Sequence, residues 1–208
     1  RIPSSAASDV YKRQGLSLLF LSCFIFLSLL SFSPLDPSIN NLTSSEVSNL
    51  GGKIGANISD LLIQLFGYSS FILIVVLLSW SYKLIFHKYL PLIALHTFLL
   101  PFFLTSISVF INLLNLISVN GFISDEIMIS LFDYGLLSTS LNYSILLISI
   151  FLFSAVMLFF SMGLSKKDWF FAIQVISFIL LKIIYLFVSL FNLVFRNYSN
   201  SKPYSIYK

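Results

Sequence analysis

Long apolar runs separated by short polar segments organise the chain. Leu16–Phe32 is the first run and is ended by Pro34 and Pro37. Tyr68–Phe86 is the second. The third lies within Leu90–Ile117 and contains Pro101, where a kink is expected. The fourth is Tyr143–Leu164. Each has the roughly 17–25 residues that a helix needs to cross a bilayer. The runs are continuous rather than alternating. They are therefore predicted to be helices, which satisfy their own backbone polar groups in lipid.

Two further stretches carry helical periodicity with a polar side. In Ile54–Phe66, Ile54, Ile58, Leu61, Leu62, Leu65 and Phe66 share one face, and Asn57, Asp60 and Gln64 take the other. Gly67 stands where glycine commonly ends a helix. A fainter copy of this scheme follows the third run: Gly121 opens it, Ile123–Phe132 mixes apolar and acidic residues, and Gly135 follows. Ser124 stands where the first copy has Gly55. In Trp169–Arg196, Gln174, Lys182, Tyr185, Ser189, Asn192 and Arg196 fall on one arc at about 100° per residue. That segment is an interfacial amphipathic helix or a fifth span. A fifth span would place Lys182 near mid-membrane, at a cost of about 2.5–3.5 kcal/mol, so the interfacial reading is preferred.

The expected fold class is thus an all-α membrane protein. It has four transmembrane helices, an amphipathic outer-loop helix and a C-terminal amphipathic juxtamembrane helix. Residues 15–167 form the membrane domain, 168–196 the juxtamembrane helix, and 197–208 the start of a cytoplasmic linker. Residues 1–14, RIPSSAASDVYKRQ, are polar, show no helical apolar face and do not form a signal-peptide n-region. They read like translated adapter sequence and are expected to be a non-native leader.

Composition agrees with this class. Of 208 residues, 58% are hydrophobic and only 10% charged, with a mean hydropathy of +0.96. A soluble domain of this length would carry far more surface charge. The net charge of +4 does not point to nucleic acid, because no basic run is interleaved with aromatics. The basic residues set a topology instead. Lys83, His87 and Lys88 follow the second run, and Lys166 and Lys167 follow the fourth. The other two loops are net acidic, with Asp36, Glu46, Lys53 and Asp60 in one and Asp125, Glu126 and Asp133 in the other. Lysine marks the cytoplasmic side, so both chain ends are expected there.

Candidate chemistry is sparse. Gly51-Gly52-Lys53 suggests a phosphate loop, but G-x-x-x-x-G-K-[ST] would need glycine at Val47 and a hydroxyl at Ile54. The spacing fits helix contact better: Gly51 and Gly55, then Gly52 and Ala56, are small residues four apart. The single cysteine, Cys23, excludes a disulfide framework. His96 is an ionisable residue in an apolar run, and Asn112 and Asn115 are expected to bond between helices. No Ser/His/Asp set, carboxylate pair or ligand spacing can be assembled. No catalytic, cofactor or metal residue is expected, and the chain is expected not to be an enzyme.

Two segments carry a family resemblance: SFSPLDPS at 31–38 and NLGGKIGANISDLLIQLFGYSSFIL at 49–73. Together they resemble the N-terminal four-helix membrane domain of FtsK/SpoIIIE-type bacterial DNA translocases. Pro34, Asp36, Pro37, Ser38, Gly51, Gly52, Gly55, Ala56, Asp60, Phe66 and Gly67 carry the match, and MGLSKKDW after the fourth run resembles the family's ending of that span. The resemblance covers about residues 15–170. It implies an inner-membrane anchor with cytoplasmic ends, targeted to the division septum and touching other divisome membrane proteins as well as the lipid bilayer. It also implies a hexameric ATP-driven motor for chromosome segregation, joined through a linker. That motor would make the protein a homo-oligomer, while this segment would not contact DNA directly. A different class, a small transporter or a membrane subunit of a larger complex, would use His96, Asn112 and Asn115 to line a polar path.

Overall fold

The computed structural model describes residues 5–87, 90, 92–115 and 119–200. Every regular element among them is helical. The helices are α1 (Ser5–Leu30), α2 (Gly52–Phe66), α3 (Phe71–Tyr82), α4 (Ile93–Leu113), α5 (Phe122–Asp133), α6 (Ser140–Ser161) and α7 (Lys166–Asn200). A 3-10 turn, Gly67–Ser70, joins α2 to α3, and a π turn, Lys83–His87, closes α3. Two compact units divide between Gly163 and Leu164.

The first unit is built from two antiparallel pairs. At one end of α1, Ser31 Oγ accepts the Leu50 amide (2.9 Å), and at the other Ser81 Oγ donates to the Gly15 carbonyl (2.8 Å). The α2–α3 arm therefore runs back along α1. The Tyr143 hydroxyl donates to the Leu113 carbonyl at one end of the α4–α6 pair, and His96 bonds the Phe160 carbonyl at the other. One end of the bundle thus gathers the two acidic loops. The other gathers Lys83, His87 and the exit at Gly163.

Ile25, Leu29, Ile63, Phe66, Leu73, Ile74, Val76, Leu77, Trp80, Leu84, Leu90, Phe103 and Leu104 form one core cluster. Serine does as much at the contacts. Ser22, Ser28, Ser59, Ser70, Ser81, Ser124 and Ser161 are almost wholly buried. Small residues let helix backbones approach where lipid removes the usual hydrophobic drive. Ser22, Ser28 and Ser106 satisfy their hydroxyls on carbonyls three or four residues back, so their burial leaves no orphaned donor. By contrast, α6 turns Ile145, Ile148, Phe151, Leu152, Val156 and Phe159 outward. That is a surface suited to lipid and not to water.

Among the described residues, five helical stretches are long and apolar enough to cross a membrane by length and composition: Ser8–Leu30, Gly52–His87, Ile93–Leu113, Ser140–Ser161 and Lys166–Tyr185. Two depart most from the boundaries expected from the sequence. The second apolar stretch takes in the loop helix from Gly52 as well as the run expected from Tyr68, because only a 3-10 turn separates α2 from α3. The first extends back to Ser5, through residues whose polar pattern showed no apolar face. Tertiary contact holds it there: Ser8 is buried, Tyr11 packs on the core, and a Cβ on Gly15 would lie 2.7 Å from Ile85 Cγ1 of the π turn.

In the second unit, α7 is one unbroken helix of 35 residues. A reciprocal cap starts it: Ser165 donates its amide to Asp168 Oδ2 (2.8 Å) while the Asp168 amide reaches Ser165 Oγ (3.4 Å). Lys182 Nζ lies over the Phe178 ring, 4.8 Å from its centroid, on the same face one turn away. The side chains of Asn192 and Arg196, expected on the polar arc, lie outside the described residues.

Candidate functional site

Most of the residues that mark the resemblance, Phe66 and Gly67 apart, gather around one hydrogen-bonded clasp between the end of α1, the loop 33–50 and α2. Asp36 is at its centre and is buried. Its Oδ1 accepts the Ser48 amide (2.9 Å) and hydroxyl (2.7 Å), and its Oδ2 accepts the Asn49 amide (2.9 Å). The Ser48 amide is the largest influence on its acidity. Burial opposes it, and the Ser48 hydroxyl and Asn49 amide reinforce it. The net effect holds the Asp36 carboxyl below the usual carboxylate range.

Asn49 passes the hold on to the helices. Its Nδ2 donates to the Ser28 carbonyl (2.8 Å) near the end of α1 and reaches Ser59 Oγ (3.3 Å) on α2. Its Oδ1 accepts the Gly51 amide (2.9 Å). Ser38 then donates to Asp60 Oδ2 (2.6 Å), the Ile39 amide to Asn57 Oδ1 (2.8 Å), and Asn40 Nδ2 to Gln64 Oε1 (2.8 Å). Asn41 Nδ2 closes the turn on the Pro34 carbonyl (2.7 Å). Pro37, with φ fixed by its ring, lies between Asp36 and Ser38.

The glycines divide by role. A Cβ on Gly51 would lie 2.5 Å from Ser28 Oγ, and one on Gly55 would lie 2.7 Å from the same atom and collide with Asn49 Oδ1. These two set the approach of α2 to α1. Gly52 has nothing within 4 Å and sits at φ +62. Its requirement is backbone conformation, so the Gly52/Ala56 pair does not act as a matched close-contact pair, although Ala56 itself is buried. With Gly51 and Gly55 packed on Ser28 and Asn49, the segment is a helix contact and not an open phosphate cradle.

A second clasp closes the far end of α2. The Phe66 carbonyl accepts Ser108 Oγ (3.0 Å) from α4, and Gly67, at φ +61, is crossed by the Val119–Gly121 backbone. Asn112 Nδ2 donates to Asp125 Oδ1 (2.8 Å), and its Oδ1 accepts Asn120 Nδ2 (3.1 Å). Asn112 thus bonds between elements, whereas Asn115 is exposed. Ser124 is fully buried, so this small residue fills a contact position in the second loop helix.

At the opposite end, three side chains cap α6. The carbonyls of Phe160, Ser161 and Met162 would be left unpaired by the helix ending there. His96 Nδ1 pairs with the first (2.6 Å), Trp80 Nε1 donates to the second (2.7 Å), and Ser79 Oγ donates to the third (3.0 Å). A carbonyl only accepts, so His96 carries its proton on Nδ1. Sequence reasoning singled out His96 as a lone intramembrane ionisable group and missed Ser79, Trp80, Ser48 and Asn49. Only Asn49 carried a local signal, standing just ahead of the glycine pair that opens α2.

Among the described residues no three His, Cys, Asp or Glu side chains are grouped to hold a metal. An apolar groove of about 360 Å³ between α4, α5 and α6 is lined by Phe102, Thr105, Ser106, Val109, Ile127, Ile150 and Phe153, none of them titratable.

The 4TM region of DNA translocase FtsK/SpoIIIE matches residues 11–126, more than half of the chain and the whole of both clasps. The chain belongs to this FtsK/SpoIIIE membrane-region family. It is 36% identical over 78 residues to the DNA translocase FtsK of Rickettsia prowazekii (strain Madrid E), covering 38% of this chain and 10% of that protein. To the DNA translocase FtsK of Brucella melitensis biotype 1 it is 34% identical over 94 residues, 45% of this chain and 12% of that protein. To that of Azospirillum brasilense it is 33% identical over 76 residues, 36% and 12% respectively. The matches therefore span about a tenth of the length of these curated relatives. No solved structure matches the chain. The FtsK-type match and the apolar helices together make this a multi-pass segment associated with the lipid bilayer of the inner membrane.

Proposed function

We propose that this chain is the inner-membrane anchor and septum-targeting module of an FtsK-type DNA translocase. The observation that carries this reading is the family match over residues 11–126, which takes in the Asp36 clasp. The membrane is crossed four times, by α1, α3, α4 and α6, with the acidic loops outside and both ends in the cytoplasm. Lys83, His87 and Gly163 lie at one end of the bundle, in keeping with the rule that lysine-rich loops stay inside. The helix α7, at about 1.5 Å per residue, is some 50 Å long and exceeds a hydrocarbon core of about 30 Å. It lies along the cytoplasmic interface and leads to a linker. ATP hydrolysis, hexamer formation and DNA pumping belong to a motor beyond this segment, and other divisome membrane proteins meet the anchor.

The transporter reading loses its polar path. His96 and Asn112 each bond a neighbouring helix or loop, and Asn115 is not gathered with them. The test is replacement. This chain, fused in place of the membrane region of an FtsK-type translocase, should restore septation and give a midcell band in cells depleted of their own protein. An even membrane distribution without rescue would overturn the reading.

A further inference from the structure

The loop helix α2 has three faces, and two are covered. Gly55, Ala56, Ser59, Ile63 and Phe66 are buried against the bundle. Asn57, Asp60 and Gln64 form a polar face, which loop residues 38–40 cover through the three hydrogen bonds to those side chains. The third face carries Ile54, Ile58, Leu61 and Leu65, which recur at helical spacing; Ile58 and Leu65 are partly buried against the core, and Ile54 and Leu61 stand clear of it. Ile54 is 68% exposed and Leu61 52%. Water is a poor partner for such a stripe.

Its depth identifies a better one. The start of α2 is packed on Ser28, two residues or about 3 Å before the end of α1 at Leu30. Its last carbonyl is held by Ser108, five residues or about 8 Å before the end of α4 at Leu113. Both ends of α2 therefore lie below the ends of the long apolar helices and not above them. The stripe is also continuous with the apolar outside of α1. Leu27 and Leu30 are exposed there, the Leu50 amide is fixed to Ser31 Oγ, and exposed Leu50 leads on to Ile54 and Leu61. Gly67, at φ +61, turns the chain from this helix into α3.

We propose that α2 is an in-plane anchor whose Leu50–Ile54–Leu61 face sits in the bilayer, at the boundary between headgroups and acyl chains. Interfacial helices seat their apolar face about 5–10 Å into that boundary, comparable with the roughly 3 and 8 Å by which the two ends of α2 lie below the ends of α1 and α4. The two clasps then act as a brace, fixing the exit of α1 and the entry of α3 at one level in the leaflet. The inference rests on the reading of the bundle as membrane-spanning.

The test uses the full chain in a Cys23→Ser background, reconstituted in phosphatidylethanolamine/phosphatidylglycerol vesicles. Single cysteines at Ile54, Leu61, Lys53 and Phe20 carry an environment-sensitive fluorophore. Ile54 and Leu61 are exposed, so cysteine there removes no buried contact. Lipids spin-labelled near the headgroup should quench I54C and L61C about twofold or more above K53C, while aqueous iodide shows the reverse order. F20C, on the exposed side of mid-α1, should be quenched by lipids labelled near the chain end. Iodide quenching at 54 and 61 equal to that at 53 would place the face in water and overturn the proposal. Shielding of 54 and 61 from iodide and lipid alike would put a second copy or another protein there, and would overturn it too. Failure of F20C to be quenched by lipid would overturn the spanning reading itself, which the other two failures leave intact.

Discussion

Replacing Asp36 with asparagine tests whether the clasp depends on a carboxylate. The substitution keeps shape and one acceptor oxygen but sets an amide NH₂ against the other donors. If the oxygen stays on Ser48, the Asn49 amide, a buried donor 2.9 Å from Asp36 Oδ2, faces another donor. A buried unpaired donor costs about 1–3 kcal/mol, and the two Ser48 bonds each weaken by about 1 kcal/mol when the acceptor loses its charge. The loop should therefore lose roughly 3–5 kcal/mol. That converts to about two to three and a half powers of ten in local opening, at about 1.4 kcal/mol per tenfold. Hydrogen exchange of the Ser48 and Asn49 amides in reconstituted protein reads this directly. The change should be confined to residues near 33–60, since α4 and α6 have their own contacts. A fall in protection of less than about tenfold would refute the argument that charge holds the clasp.

The pH dependence has a fixed sign. The folded carboxyl titrates below its unfolded value, so its contribution is complete above about pH 3.9 and declines as pH falls toward the lower folded value. Wild-type protection at Ser48 should weaken on strong acidification, and the Asp36→Asn variant should lack that step.

The two glycines should separate by chemistry. Gly52→Asn should be nearly neutral, because asparagine tolerates positive φ, whereas Gly55→Ala should lower the detergent melting midpoint by an amount equal to about 1–3 kcal/mol through overpacking against Asn49 and Ser28. His96→Leu should cost about 1–2 kcal/mol through the orphaned Phe160 carbonyl, read as a lower melting midpoint, yet leave midcell localisation intact. Loss of localisation at unchanged stability would restore a functional role for the ring. A reporter fused after Lys167 should be active only on the cytoplasmic side, and activity outside would reverse the topology.

Much of the bundle was legible in the sequence because its main constraint is one-dimensional. A chain in lipid must pair its own backbone groups, so apolar runs become helices wherever they reach sufficient length. Gly67 was legible as a helix end because a left-handed backbone position selects glycine locally. Residues 5–14 were not, since their helix depends on Tyr11 and Gly15 meeting a core and a turn made about 70 residues later. The cap on α6 was equally hidden. Ser79 and Trp80 lie more than 80 residues from the carbonyls they serve, and no periodicity records such a pairing.

The sequence alone determined that the chain is a set of membrane-length helices, that its lysines and acids fall in alternate loops, and which family its loop wording matches. Those are properties of composition and short spacing. The tertiary structure decided what the loop residues do. Asp36, Asn49, Ser28 and Gly55 are scattered over 28 positions and meet only because α1 and α2 fold back on one another. Hydrogen bonds of this kind act over about 3 Å in space while their partners are unconstrained in sequence, so the clasp becomes visible only once the chain is folded.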